Sequence, residues 1–316
     1  MIRRAIAFSF LLLLTAGAVS AQSPTPEGAK IVTEDIGRFW AAFDQAGPQF
    51  PAETFQKLYL DKGTPGLEDF VKLRIESAER LAKTVRTVPE YYASIRASTK
   101  RIPEMEPQIR VAFKALEEIY PEAVYPDVYF LVGVLNSGGT VSERGLLIGA
   151  EMYGRTPEAP MDKLGDWLKT VLGPVENVPY IVAHELIHFQ QSVPDSNSLL
   201  AQALREGSAD FLSELIAGRH INGHVHDFAV PRRSALWEEF KEKMRGQDYK
   251  GWLYSSMEGR PNDLGYWIGY EITKAYYNQA ADKRQAVKEI LKIKDSEAFL
   301  AQSGYAKQFE AAKAAP

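Results

Sequence analysis

The chain has 316 residues, of which 45% are hydrophobic and 25% charged, so it can bury a substantial core in one large domain or two smaller ones. Its formal net charge of −4 argues against nucleic acid or an anionic membrane surface as the main partner. Because cysteine is absent, we expect neither disulfides nor a lipid-modified cysteine, and a metal site would have to use histidines and carboxylates.

Residues 1–21 are predicted to be a secretory signal peptide that is removed from the mature protein. Arg3 and Arg4 form its charged start, an apolar run follows, and Ala21 ends a small-residue cleavage site. A membrane anchor is the alternative, but the apolar run is too short to cross a bilayer comfortably. We therefore expect an exported protein of a bacterial envelope, periplasmic or secreted, without stable membrane insertion.

The next segments predict a mainly helical α+β protein with one small sheet in its middle. Residues 22–32 are rich in Ser, Pro and Gly and are predicted to be a linker. Residues 33–120 repeat apolar residues at three- and four-residue spacing, which indicates a helical N-terminal region. The apolar runs 127–135 and 144–152 predict a hairpin or two neighbouring strands, and the patterns after residue 160 are helical again.

The segment YIVAHELIHFQQ, residues 180–191, places two histidines four positions apart. On a helix His184 and His188 project from one face, so both imidazoles can reach one Zn²⁺ ion. Glu185 lies beside them, as in the metalloprotease motif whose glutamate acts as general base. The alternative is a buried helix with two hydrogen-bonded core histidines.

A zinc site of this kind needs a third protein ligand and an open fourth position. The pattern with a third histidine on the same segment is excluded, because this chain has Gln191 and Pro194 at the required positions. A second helix carries EGSADFLSEL, and antiparallel packing would bring its Glu206 over both histidines. We predict Glu206 as the ligand and Asp210 as the carboxylate that orients a ligand histidine, with Asp210 as the alternative ligand.

HELIH followed by EGSAD resembles the gluzincins, the zinc metallopeptidases with a glutamate ligand. Together with LGYWIGYEI, these segments also resemble an uncharacterised bacterial family of predicted zinc-dependent proteases. The resemblance covers about 180–280 and implies a zincin-like catalytic domain, here 121–316, with a small sheet packed on the active-site helix. It implies His184, His188 and Glu206 as ligands of one Zn²⁺ ion, Glu185 as catalyst, and a peptide or protein substrate.

In related peptidases a tyrosine or histidine stabilises the oxyanion, and here Tyr266 and Tyr270 are the candidates. Two core tyrosines at helical spacing are the alternative. The segment GRHINGHVHDF also supplies three histidines that could act as rival donors or bind a second ion, although such a polar segment is usually just a loop. They are His220, His224 and His226.

An edge strand of the zincin fold pairs with the extended substrate backbone, and residues 145–152 are the candidate. Glu151 lies one residue away from the position where one aminopeptidase family grips the substrate amino terminus, so an endopeptidase is favoured. Two other functions stay open: a catalytically silent scaffold or binding protein of the envelope that keeps the zinc site, and a zinc hydrolase of non-peptide amides. The sequence does not determine the oligomeric state.

Overall fold

The chain is seen here as a computed structural model that describes residues 22–194, 196–255 and 257–309, so the predicted signal peptide lies outside the described residues. The described part is mainly helical with one small mixed sheet, which confirms the α+β prediction. The first helices are α1 Glu34–Ala46, α2 Ala52–Leu58, α3 Pro65–Phe70, α4 Ala78–Thr87, α5 Pro89–Lys100, α6 Glu106–Ile119 and α7 Asp166–Val171. The later helices are α8 Val178–Gln190, α9 Leu199–Ala217, α10 Gly223–Ala229, α11 Arg233–Lys243, α12 Leu264–Gln279, α13 Lys283–Leu291 and α14 Ser296–Ser303.

The sheet is built around one fully buried strand and its parallel neighbour. Its strands are β1 Gln22–Ser23, β2 Ile31–Val32, β3 Tyr125–Leu131, β4 Gly139–Ser142 and β5 Gly145–Gly149. On one side β3 pairs in parallel with β5, which pairs antiparallel with β4. Every residue of β3 and β5 is buried, as expected for central strands, whereas β4 is half-buried and forms an edge.

The segment 22–32, predicted to be a linker, supplies two strands to this sheet. β1 pairs antiparallel with the start of β3, and β2 pairs in parallel with its middle. The backbone N–H of Lys30 also donates to the Asp127 carboxylate over 2.7 Å. Two-residue strands carry no periodic signal, and their partners lie about a hundred positions away, so local composition could not predict them.

The predicted substrate-binding strand does not have a free edge. The part of it that is a strand, Gly145–Gly149, lies between β3 and β4, and Ala150–Met152 continues as a 3-10 helix. Glu151 is fully buried, and its carboxylate accepts the backbone N–H of Leu135 over 3.2 Å. The prediction for this run was wrong because the sequence does not show which of two adjacent strands is outermost.

Buried tyrosines join the N-terminal helices to the end of β3. The hydroxyl of Tyr59 donates to the Val132 carbonyl over 2.8 Å, and that of Tyr92 donates to the Gly133 carbonyl over 2.7 Å. Burial raises the pKa of both tyrosines, so each hydroxyl keeps its proton as a donor. These bonds fix the segment between β3 and β4 relative to the helical region.

Helices α8, α9 and α12 form the layer that carries the predicted site. α8 packs against β3, β4 and β5 on one side and against α9 on the other. The Ser198 side chain caps α9 by accepting the Ala201 N–H over 3.1 Å. α9 and α12 touch backbone to backbone, since a Cβ on Gly269 would lie only 1.7 Å from the Ala203 carbonyl oxygen. Within the described residues, every helix is too short or too polar to cross a membrane.

Candidate metal centre and its cleft

Both histidines of the 180–191 segment lie on α8, one turn apart and on the same face. His184 is 5% exposed, and its ring meets that of His188 edge to face with centroids 4.6 Å apart. Apolar residues bury the rest of the helix, which is why it runs between the sheet and α9. Both imidazoles are therefore held in the interior, where each needs a polar partner.

Glu206 of α9 supplies the third donor atom, at the place where the sequence predicted it. Its Oε2 atom lies 3.1 Å from Nε2 of His188 and 3.6 Å from Nε2 of His184. One ligand atom from each residue lies within 4.8 Å of the other two. Donors bound to zinc at about 2.0–2.1 Å in tetrahedral geometry are about 3.4 Å apart, so the three residues fit one such ion.

The remaining ring nitrogen of each histidine is held by a neighbouring side chain. Nδ1 of His184 lies 2.9 Å from Oδ1 of Asp210, and Nδ1 of His188 lies 2.7 Å from Oε1 of Gln191. Each partner is itself held, because Asn222 donates to the second Asp210 oxygen over 2.6 Å and the Gln191 amide donates to the Arg205 carbonyl over 2.8 Å. Such outer hydrogen bonds fix the orientation of ligand imidazoles with Nε2 toward the ion.

Tyr254 holds the other oxygen of Glu206. Its hydroxyl donates to Oε1 over 2.8 Å, which leaves Oε2 toward the two histidines. Burial of the hydroxyl, and next the Glu206 carboxylate, raise the pKa of Tyr254, so the phenol stays a donor. The Tyr254 backbone has a φ of 55°, an unusual value for a residue with a side chain, and its N–H is bound by Asp263 over 2.9 Å.

Hydrogen bonds among the three donors and Asp210 shift the pKa values of His184 and Glu206. Burial lowers the pKa of His184, but its hydrogen bonds to Asp210 and Glu206 outweigh burial and raise the pKa above its usual value. Burial alone would raise the pKa of Glu206, whereas His188 and His184 together hold that pKa well below its usual value. Glu206 is therefore ionised, as a metal ligand requires, and the imidazoles beside it offset its charge.

A cleft of about 600 Å³ opens beside the three donors. Glu185 lines it next to the edge strand, and a Cβ on Gly139 of β4 would lie 2.4 Å from its Oε1 atom. Within the described residues, the Glu185 carboxylate has no hydrogen-bond partner, in contrast to that of Glu206. Glu185 is therefore directed into the cleft beside the predicted ion, as the motif indicated.

The two predicted tyrosine donors occupy different places. Tyr266 lines the cleft, and its ring lies parallel to that of His184 with centroids 6.2 Å apart. Tyr270 does not reach the cleft, because its hydroxyl donates to Glu214 and its ring packs on Phe211. Tyr266 and Tyr270 lie one helical turn apart on α12, and only the first of them lines the cleft, whereas the second packs in the core. The structure therefore does not place Tyr270 as a donor to a ligand in the cleft.

The three histidines of the 218–228 segment lie in different places. His224 lines the cleft, while His220 and His226 stack on each other with ring centroids 4.3 Å apart. Burial lowers the pKa of His226 to about 4, so this ring is neutral near pH 7. Within the described residues, the cluster suited to an ion is the triad of His184, His188 and Glu206.

Sequence reasoning missed three residues that support the triad. In the sequence, Gln191 serves only to exclude another ligand pattern, and no motif marks Asn222 or Tyr254. The position of Gln191 three residues after His188 was a local signal, since side chains at that spacing share a helix face. Tyr254 lies 48 positions from Glu206 and had no signal in the sequence.

Fold and site together define an α+β protein with a buried cluster of two histidines and one carboxylate beside a wide cleft. The chain belongs to the family of the gliding motility protein GldB, whose family model matches residues 30–225, well over half of the chain. The match includes the N-terminal helices, strands β2 to β5 and both helices that carry the triad. No curated protein and no solved structure matches the chain.

This family overturns the resemblance to gluzincins and to predicted zinc-dependent proteases, and with it the prediction of a zinc-dependent peptidase. The reason is that HELIH and a downstream glutamate describe how three donors meet on two helices, whereas a reaction depends on the whole site. The family indicates an envelope role instead, and a cell-envelope location is the part of the predicted localisation that it supports.

Proposed function

We propose that this protein is a catalytically silent binding protein of the cell envelope whose cleft is organised by one divalent transition-metal ion. The observation that carries the proposal is the convergence of three donor atoms from His184, His188 and Glu206 within 4.8 Å of one another. Two imidazoles and a carboxylate suit zinc, and such a set leaves one coordination position open. At that position, a donor atom of the ligand would bind the ion.

The ion would also join the two helices that form the floor of the cleft. His184 and His188 lie on α8, which packs on the sheet, whereas Glu206 lies on α9, which packs on α12. A shared ion would therefore connect the side of the cleft formed by the sheet to the side formed by α12, which carries Tyr266. Joining two parts of the domain is the role expected of a structural metal ion in a scaffold protein. Residues 121–316 would then have a zincin-like arrangement without the catalytic role.

The expected ligand is a peptide or protein segment that is bound and not cleaved. The family name connects the chain with gliding motility, and we extend that connection to this protein as part of the proposal. The sequence features of residues 1–21 support export, to the periplasm or beyond the cell.

The test is metal content and stability of the purified protein. Wild type reloaded with zinc should hold one ion per chain, measured by plasma mass spectrometry after desalting. A zinc concentration about 100 times the dissociation constant should raise the free energy of unfolding by about 2.7 kcal/mol. Glu206→Gln should bind zinc much more weakly, because a neutral amide is a poorer ligand than a carboxylate.

Glu214→Gln is the matched control, since Glu214 lies on the same helix and its carboxylate accepts a hydrogen bond from Tyr270 away from the triad. This variant should keep the ion. A wild-type protein that does not retain zinc, or equal zinc binding by wild type and Glu206→Gln, would refute the metal site.

A second candidate function is hydrolysis of a non-peptide amide, favoured by the position of Glu185. Its carboxylate lines the cleft beside the triad and has no hydrogen-bond partner within the described residues. A panel of N-acylated amino sugars tests this candidate with zinc-loaded protein. Turnover that Glu185→Gln abolishes at unchanged zinc content would favour the hydrolase, and no turnover by wild type would favour the binding protein.

A further inference from the structure

Arg74 brings an isolated positive charge to the wall of the cleft. It lies in a single π-helical turn, Val71–Ile75, and its side chain reaches across to the sheet. Its Nε–H donates to the Ser137 hydroxyl over 3.0 Å, and its Nη2 donates to the Thr140 hydroxyl over 2.8 Å. Thr140 directly follows Gly139 on β4, so the guanidinium binds the residue next to the strand position that faces Glu185.

The partners of this guanidinium are neutral. Ser137 and Thr140 contribute hydroxyls, and the third acceptor is the Leu73 carbonyl, 3.3 Å from Nη1. Within the described residues, Arg74 forms no ion pair with a carboxylate, whereas Arg205 on the same cleft has Glu206 at 3.7 Å. A fixed cation bound only by neutral groups keeps its charge available to a ligand.

The hydrogen bonds also leave part of the guanidinium free. Arginine has five N–H donors, and the three bonds of Arg74 use Nε–H, one N–H of Nη1 and one of Nη2. One N–H therefore remains on each terminal nitrogen. Two such donors in one plane match the two oxygens of a carboxylate or of a phosphate group.

The overall charge of the cleft favours the same kind of ligand. Its lining holds the carboxylates of Glu185, Glu206 and Asp263 against the guanidinium groups of Arg74 and Arg205. Burial raises the pKa of Asp263 to about 6, so this carboxyl loses its charge below about pH 6. A bound divalent cation would give the lining a net positive charge, which attracts anions.

We propose that the cleft selects ligands with an oxyanionic group, a carboxylate or a phosphate, which Arg74 binds while another part of the ligand reaches the metal ion. The proposal rests on the metal-dependent binding function above. It assigns Arg74 to ligand recognition, with Ser137 and Thr140 holding its side chain in place.

The test compares probes that differ only at the end opposite their metal-binding group. Half-hydroxamates of succinic, adipic and suberic acid carry a hydroxamate for the ion and a carboxylate at the far end. Their ω-amide counterparts lack the charge, and ω-phosphonate counterparts distinguish phosphate-like from carboxylate-like ligands. Binding to zinc-loaded protein is measured by titration calorimetry, after the zinc content of each sample has been determined.

For at least one chain length, wild type should bind an anionic probe about tenfold more tightly than the amide probe, the size expected for about 1.4 kcal/mol from a charge-assisted pair. Arg74→Gln should reduce this ratio to about one while leaving the amide probe unaffected. Arg74→Lys should keep part of the preference, since it retains the charge without the planar pair of donors. Unchanged binding of the amide probe by a variant would show that its cleft is still folded.

Arg144→Gln is the matched control, because this arginine lies on the loop between β4 and β5 and pairs with Glu68. It should keep the full preference for the anionic probe. An equal affinity of wild type for anionic and amide probes at every length, or an unchanged ratio in Arg74→Gln, would overturn the inference. Absence of bound zinc in wild type would instead refute the proposed function, so the two failures can be told apart.

Discussion

Replacing Glu151 by glutamine should make the stability of the protein less dependent on pH. The side chain is fully buried, and burial raises the pKa of Glu151 from 4.5 to about 7. Backbone N–H groups of Gly133 and Leu135 partly offset burial by favouring the ionised form. One carboxylate oxygen, Oε2, has no hydrogen-bond partner within the described residues.

The sign of the effect follows from proton binding in the two states. The native protein keeps the proton of Glu151 up to about pH 7, whereas the unfolded chain releases it near pH 4.5. The contribution of Glu151 to stability is therefore fully present below pH 4.5 and is lost as the pH rises to about 7. At about 1.4 kcal/mol per pKa unit, this loss amounts to about 3 kcal/mol.

Urea unfolding from pH 4.5 to 8 measures the effect as a difference between two proteins. The free energy of unfolding of Glu151→Gln should rise relative to wild type by about 3 kcal/mol over this range, because glutamine does not titrate. The control Glu118→Gln changes an exposed carboxylate on α6 and should run parallel to wild type. Parallel curves for Glu151→Gln and wild type would refute the assignment of a buried, protonated Glu151.

Three further predictions concern the helices and the support of the triad. Gly207→Ala should destabilise the protein by about 3 kcal/mol or more in urea unfolding, since its Cβ would lie 2.1 Å from the Tyr270 backbone nitrogen. Gly37→Ala, where the Cβ meets open space, should instead stabilise it by about 0.5–1 kcal/mol. Tyr254→Phe should weaken zinc binding about tenfold in a chelator competition, because Glu206 loses a hydrogen bond. Equal affinity, or the same loss in the control Tyr276→Phe, whose hydroxyl donates to Glu289 away from the triad, would contradict that role.

The local part of the site could be predicted from the sequence. Side chains four residues apart on a helix share a face in any fold, so HELIH alone placed His184 and His188 together. Glu206 could be predicted as the third ligand because a short connection between two helices leaves few ways to pack them. The same reasoning identified Asp210, which the structure places beside His184 at 2.9 Å.

Contacts between distant segments could not be predicted in this way. Tyr254 reaches Glu206 across 48 positions, and Arg74 reaches Thr140 across 66. The sequence also could not separate Tyr266 from Tyr270, since the crossing of α9 and α12 decides which of them lies over His184. Residues 22–32 contain strands only because their backbone pairs with that of β3.

The sequence by itself determined the helical character of the chain, the buried strands and the faces of the two helices that carry the triad. These depend on periodicity, which acts over a few residues. Tertiary structure decided which strand is the edge, which side chains support the ligands and where the Arg74 guanidinium lines the cleft. Those features arise from packing between segments far apart in the chain, and a motif of five residues contains no information about them.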